Sequence, residues 1–417
     1  MKSLKIRITP QVYLDISLIC YICWNAIRVI IFRVTESAAL SYPVTYCIIY
    51  GFLLIYLIRA NRWFTRSAMY LFIVLLACIV ITCIVHPDYY SIFFEESGEW
   101  QRDRIITQQV FAITSGFTIL PIICLFNKSR DLLKCLLITS VINSIFCLYI
   151  YVTGNSSFTQ STITANDTYN MRMGYMALVP LVNLAYNAIK GRQESMRIPY
   201  TILAVIMLWM VLITGARGPL LCVVIFAFMY LMFCIDYRFK RATKVGIVIL
   251  FVILGYLCIN STFIAMVGTL FSRIGISSRS INAMISGVLL DNNGRAILQE
   301  RAFSLISEGG PFGYGFCASR YLYSGSYPHN LFLEILIDFG YVGGSIIILL
   351  IFLGIWRYLL NVKDKEWRFM FIALVSCAFG KLFVSSSLWV DTLFWEALAI
   401  GIAGYKSVMT NTKAVSN

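Results

Sequence analysis

The chain has 417 residues, 59% of them hydrophobic and only 13% charged, with a formal net charge of +14. A soluble domain carries roughly 25% charged residues, so the composition excludes an ordinary soluble fold. Apolar runs reach about 20 residues, the length that crosses a hydrocarbon core as helix, which excludes an outer-membrane barrel built from alternating segments of about 10 residues.

In chain order the apolar runs predict spans near 11–32, 43–58, 68–86, 108–126, 132–153, 173–189, 198–214, 219–236, 245–268, 331–356, 367–386 and 391–408. This is an all-α, polytopic transmembrane bundle of about twelve spans in one domain, 1–417. The run near Gln11–Ile31 has no small-residue cleavage site after it and reads as a first anchor, not a signal peptide. Basic clusters precede the first span and follow every second one: Arg59, Arg62 and Arg66; Lys128 and Arg130; Lys190 and Arg192; Arg238 and Lys240; Arg357 and Lys363; Lys406 and Lys413. Asp88, Glu95, Glu96, Glu99 and Asp103 fall on the other side, against Arg102 and Arg104. Both termini are therefore expected in the cytoplasm. The same clustering explains the positive charge without a basic groove, so no nucleic-acid partner is expected. Most of the 13 cysteines lie in spans and act as small hydrophobes, Cys20 and Cys23 included. Cys317 sits in a loop with no obvious partner.

That loop, about 269–330, is expected outside the cytoplasm. Asn293 can cap a helix over about 294–308, whose Ile297, Leu298, Ala302, Leu305 and Ile306 recur at helical spacing. Gly309-Gly310-Pro311 stops it. Such a helix lies on the membrane surface or lids a cavity.

Three stretches can carry chemistry. Thr214-Gly215-Ala216-Arg217-Gly218-Pro219 is a very short turn with an arginine at its tip. A guanidinium there grips phosphate oxygens; the alternative is an ordinary turn with a snorkelling arginine. Asn293-Gly294-Arg295 opens the loop helix, with Arg273 and Arg279 before it. These arginines are either further phosphate contacts, helped by the helix N-terminus, or solvated side chains, and by spacing alone the second is the better reading. Tyr327-Pro328-His329-Asn330 leads into a helix on which Asn330, Glu334 and Asp338 share one face. A histidine there can take a proton from a sugar hydroxyl or hold one on a leaving phosphate; it can also be a plain helix-end residue. Carboxylates inside a span face a wet cavity or a partner. His86, before Pro87, reads as structural. Asp391 and Glu396 can pair with Lys381 or line the same cavity. No P-loop, zinc triad, Ser-His-Asp order or DxD metal motif is present, so no metal or cofactor is expected.

These motifs, in this order, resemble the O-antigen ligase and O-antigen polymerase superfamily of bacterial membrane glycosyltransferases. The matching residues are Gly215-Ala216-Arg217-Gly218-Pro219-Leu220, Asn293-Gly294-Arg295, Gly313-Tyr314-Gly315, His329-Asn330, Leu333-Glu334 and Asp338-Phe339-Gly340. The resemblance implies a GT-C-like helical fold in the bacterial cytoplasmic (inner) membrane. It implies metal-independent transfer of glycan from undecaprenyl diphosphate to an acceptor sugar at the outer face. Carried over by motif, Arg217 and Arg295 would bind the donor diphosphate and His329 would act at the reacting centre, with Asn330, Glu334, Arg273 and Arg279 as further binding residues. The partners would be lipid-linked oligosaccharide donor and acceptor, membrane lipids, a chain-length regulator and a flippase. Polymerase is the reading favoured here. The alternatives are a ligase acting on lipid A core, a flippase or transporter of lipid-linked sugars, and a non-catalytic scaffold.

Overall fold

The computed structural model describes residues 9–89, 116–153, 171–190, 194–214, 216–234, 245–246, 248–253, 261–273, 282, 285–286, 295–323 and 326–416. Among them there are helices and no strand. The helices are α1 (Pro10–Ile22), α2 (Trp24–Thr35), α3 (Ala38–Ala60), α4 (Arg66–Val85), the single turn α5 (Leu120–Ile123), α6 (Ser129–Thr153), α7 (Met171–Lys190), α8 (Arg197–Ile213), α9 (Arg217–Phe233), α10 (Ser261–Arg273), α11 (Arg295–Gly309), the short α12 (Ala318–Leu322), α13 (Leu331–Asn361), α14 (Lys365–Val384) and α15 (Thr392–Ser416).

Helix is what an apolar chain must form where water cannot satisfy its backbone. Side-chain oxygens cap several starts: Ser37 accepts from Leu40 N–H, Thr65 from Ala68 N–H, and Asp364 from the N–H groups of Glu366 and Trp367. Six helices among the described residues are long and apolar enough to cross a membrane, or seven if α1 and α2 form one bent span. Their outward faces are apolar, as at Leu54, Ile58, Ile73, Val74, Leu349 and Leu350, which is the face lipid requires. The chain is thus a helical membrane protein. α14 is central: 78% of its apolar stretch is buried, against 22% for α4.

Among the described residues several expected spans differ from a single long apolar helix. The span expected at 11–32 is broken at Cys23, where α1 and α2 bend by 81°. The two halves serve different cores. Leu14, Leu18 and Tyr21 of α1 pack with Ile49 and Leu53 of α3, whereas Ala26 and Val29 of α2 pack with Phe146 and Cys147 of α6. The described part of the span expected at 108–126 is a 3-10 turn, Gly116–Ile119, followed by α5. Its apolar residues Ile119, Ile122, Ile123 and Phe126 fill the protein core and do not face lipid. The span expected at 245–268 has helix at 245–246 and 248–253 and again in α10, which continues to Arg273. α7 and α15 have the length to cross but carry more polar residues, among them Asn183, Asn187, Glu396 and Lys406.

α11 packs Leu298, Ala302, Leu305 and Ile306 against Tyr323, Leu333 and Ile337, so its apolar face meets α13. Ile297, assigned by spacing to that face, points away and is 71% exposed. Arg301 Nη2 donates to the Leu322 carbonyl at 2.5 Å and Tyr323 Oη to the Leu298 carbonyl at 2.7 Å, tying α11 to α12.

α13 is interrupted at Gly340 (φ 72°, ψ 174°). The loop after α11 fills the break. Tyr314 N–H and Gly315 N–H donate to the carbonyls of Ile337 and Asp338 at 3.1 and 2.7 Å, and Tyr341 and Val342 N–H donate to the carbonyls of Gly310 and Pro311 at 3.2 and 3.1 Å. Every peptide group freed by the kink that these bonds reach is satisfied. The fit needs glycine on both sides, because a Cβ on Gly313 would press on the backbone of Gly340, and one on Gly340 on that of Gly313.

Candidate functional site

Arg217 is the first residue of α9, half-buried, after the extended Ala216. Gly215 lies outside the described residues. The next residue, Gly218, lets α9 close on α7 and α14, since a Cβ there would strike the Tyr175 hydroxyl and lie 3.0 Å from Val384 Cγ2. Deeper along the same contact, Cys222 Sγ donates to the Cys377 carbonyl at 3.3 Å. The turn that carries Arg217 is therefore clamped where α7, α9 and α14 meet.

His329 stands immediately before α13 with a left-handed backbone (φ 53°). Such a conformation costs an L-residue about 1–2 kcal/mol and is held by its neighbours. Pro328 before it is buried, and the Asn330 side chain after it accepts from Phe332 and Leu333 N–H at 3.0 and 3.2 Å. The His329 ring lies 4.1 Å from the Tyr327 ring, and the Arg320 guanidinium carbon lies 4.3 Å from the same ring. Tyr327 Oη donates to the Ser385 carbonyl at 2.8 Å, and the Ser385 hydroxyl bonds to that of Tyr175. Ser385 thus joins the two sides: Arg217 reaches it through Gly218 and Tyr175, His329 through Tyr327.

The face shared by Asn330, Glu334 and Asp338 is turned inward. Glu334 is 1% exposed. One of its oxygens accepts from the Ser387 hydroxyl and the other from Leu388 N–H at 2.8 Å. Asp338 accepts from Ser319 N–H and Trp389 Nε1, each at 2.7 Å. Both carboxylates hold the 385–390 segment and the α12 start in place. Asn330 is a helix cap. Glu334 and the Asn330 side-chain oxygen, expected as substrate contacts, make these internal bonds in the structure.

Lys381 Nζ lies 2.6 Å from Asp391 Oδ2 and 5.3 Å from the Tyr175 ring centroid. The expected pairing of Lys381 with Asp391 is present, and Lys381 and Glu396 do line one cavity. It measures about 450 Å³, and Tyr175, Ser385, Arg172 and Asn143 also line it. The volume falls in the range of small-molecule sites, about 300–1,000 Å³. Its wall at Tyr175 and Ser385 is the junction that connects Arg217 to His329.

Arg273 is exposed at the end of α10, and nothing described brings it to this junction. Arg279 lies outside the described residues, and so does the side chain of Arg295, whose backbone opens α11. Cys317 is fully buried, and burial, with Asp338 and Glu334 adding to it, pushes its thiol well above the ordinary range. It is packing, not a nucleophile. Burial likewise pushes the Tyr323 hydroxyl up to about 12. Among the described residues no group of three or more His, Cys, Asp or Glu side chains is placed to hold a metal ion.

The sequence reading did not single out Arg320, Tyr175, Ser385 or Arg172, and it quoted Tyr327 without giving it a role. Arg320 left a faint signal, a lone arginine among the tyrosines of the 314–327 stretch. Ser385-Ser386-Ser387 left another, as a polar run between two apolar helices.

Residues 202–348 match the family model described as O-antigen ligase. The match covers Arg217, Arg295, His329 and the α13 break, and over these residues it supports a likeness to the O-antigen ligase and polymerase superfamily. No curated protein and no solved structure matches it.

Proposed function

We propose that this membrane enzyme of the O-antigen ligase and polymerase superfamily is a polysaccharide polymerase. It joins undecaprenyl-diphosphate-linked oligosaccharide repeats at the outer face of the bacterial cytoplasmic membrane, with no metal. The observation that carries the reading is the convergence of the Arg217 turn and the His329 segment on Ser385 and Tyr175, beside a cavity that Lys381 and Glu396 also line.

In this mechanism Arg217 and Arg295 hold the donor diphosphate and stabilise the charge it gains as it leaves. An acceptor hydroxyl attacks the anomeric carbon, the bond from that carbon to the diphosphate oxygen breaks, and the configuration inverts. His329 takes the hydroxyl proton; its other assignment within this reading is to donate to the departing diphosphate. Arg320 and Tyr327 position the imidazole. In this reading both termini lie in the cytoplasm, as the sidedness of the basic clusters supports. A flippase that delivers lipid-linked repeats and a regulator of chain length are the partners this reading proposes.

The family description favours a second reading, a ligase that passes finished glycan to lipid A core. A gel of lipid-linked and surface glycan separates the two in a deletion strain complemented with wild type, Arg217→Ala or His329→Ala at matched membrane levels. Collapse of a ladder to single repeats, rescued only by wild type, supports the polymerase. A ladder that persists on the lipid carrier and never reaches its final anchor supports the ligase. Full rescue by both variants overturns the catalytic assignment.

A further inference from the structure

Four carboxylates are buried among the described residues: Glu334, Asp338, Asp391 and Glu396. Three are committed. Glu334 holds Ser387 and Leu388, Asp338 holds Ser319 and Trp389, and Asp391 holds Lys381. Glu396 makes no hydrogen bond or ion pair among the described residues, yet it is 6% exposed and lines the cavity. A buried polar group left without a partner is costly, so this one calls for a partner from outside the chain.

Two amides reach the same cavity from other helices. Asn25 of α2 and Asn143 of α6 line it, and neither side chain has a hydrogen-bond partner among the described residues. Asn183 and Asn187 of α7 differ: their amides donate to the Ser140 hydroxyl and the Asn183 carbonyl at 3.1 and 2.8 Å. Amides that face protein are paired, and those that face the cavity are left for a ligand. The remaining wall is largely apolar, with ring surface from Tyr21, Trp24 and Tyr175. Two of these rings are fixed by their hydroxyls, Tyr21 against Thr118 Oγ1 at 2.5 Å and Tyr175 against the Ser385 hydroxyl. The 81° bend at Cys23 forms part of the wall, since Tyr21 and Ile22 end α1, Trp24 and Asn25 begin α2, and all four line the cavity. A mostly apolar wall with a few placed polar groups is the general form of a small-molecule site. A sugar ring suits this one: its C–H face stacks on an aromatic ring, and its hydroxyls donate to a carboxylate and accept from amide N–H groups. Neither Arg217 nor His329 lines the cavity, so a ring seated here stands apart from the diphosphate grip.

We propose that this cavity is a sugar subsite, in which Glu396 accepts from ring hydroxyls, Asn25 and Asn143 donate to them, and Trp24 stacks on the ring. The proposal rests on the glycosyl-transfer reading and deepens it, because it gives Glu396 a part in choosing which glycan unit is bound.

The test is equilibrium binding to the purified full chain in nanodiscs, followed by tryptophan fluorescence, with Trp24→Phe as the blank that assigns the signal to the cavity. The probes are the methyl glycosides of glucose, galactose, mannose and N-acetylglucosamine, with farnesyl phosphate as the isoprenoid competitor. At least one glycoside is expected to change the Trp24 emission saturably. Glu396→Gln is expected to weaken that binding about tenfold, the size of a hydrogen bond to a charged group. Asn143→Leu should weaken it as well, and Glu308→Gln, on the exposed side of α11, should leave it unchanged. If no glycoside alters the Trp24 emission of wild type, a reading that needs no variant to fold, the proposal is overturned. Binding as tight in Glu396→Gln as in wild type overturns it too. So does farnesyl phosphate that displaces the glycoside and binds Glu396→Gln as well as wild type, which would give the cavity to the lipid chain. A chain that extends glycan but shows no Glu396-dependent sugar binding would refute the subsite alone. A chain that binds the glycoside through Glu396 but transfers nothing would refute the transfer reading and leave the subsite standing.

Discussion

Lys381 Nζ and Asp391 Oδ2 lie 2.6 Å apart and pin the end of α14 to the start of α15 at the cavity wall. The Asp391 side chain is fully buried and that of Lys381 is 25% exposed. Removing one partner strands a charge. Lys381→Met is expected to destabilise the protein by about 3–5 kcal/mol, read as a lower unfolding temperature in detergent. Asp391→Leu added to Lys381→Met should recover most of the loss. A single variant as stable as wild type would show that the pair contributes nothing.

The α13 break makes a second expectation. In Gly313→Ala the new Cβ would lie 2.6 Å from the Ile337 carbonyl oxygen and 2.7 Å from that of Asp338, at a φ of 68°. Overpacking and left-handed strain each cost about 1–3 kcal/mol, so this variant should lose stability and activity together. Gly354→Ala, on the same helix with open space around the position, should behave like wild type. The comparison is made by thermal unfolding and by the glycan ladder.

Tyr327 allows its two contacts to be separated. Tyr327→Phe removes the bond to the Ser385 carbonyl and keeps the ring beside His329 and Arg320. A net hydrogen bond is worth about 1 kcal/mol, so transfer should slow roughly fivefold. Tyr327→Ala also removes the ring and should slow it much further. Equal rates for the two variants would show that the ring does not position His329.

Cys317 should resist alkylation. Its raised pKa disfavours the thiolate, so moving from pH 7 to pH 9 should not expose reactivity in the folded chain. Labelling with maleimide is expected only after denaturation. Rapid labelling of the folded chain at Cys317 would contradict its burial.

Much of the scaffold is visible in the sequence because lipid imposes a simple rule, a long apolar run for each crossing helix. α3, α4, α6, α8, α13 and α14 follow it. The rule fails where an apolar run faces protein. The stretch from Ile119 to Phe126 is as apolar as a span, yet it is short and buried. The bend at Cys23 is silent because neither proline nor glycine marks it; tertiary packing sets it. The site divides in the same way. Arg217 and His329 stand at helix starts and can be found by position. Their connection through Tyr175, Tyr327 and Ser385 joins residues up to 210 apart in sequence, and no local pattern encodes it. Glu334 and Asp338 were legible as one inward face, but their partners Ser387, Leu388, Ser319 and Trp389 lie in other segments.

The most direct test of the central claim is transfer by the purified full chain in nanodiscs, supplied with lipid-linked repeats, with product length followed over time. Wild type is expected to build longer lipid-linked glycan, and Arg217→Ala and His329→Ala, matched for thermal stability, to be slower by about 100-fold or more. Variants that extend the glycan at nearly the wild-type rate would contradict the claim that these two residues carry the reaction.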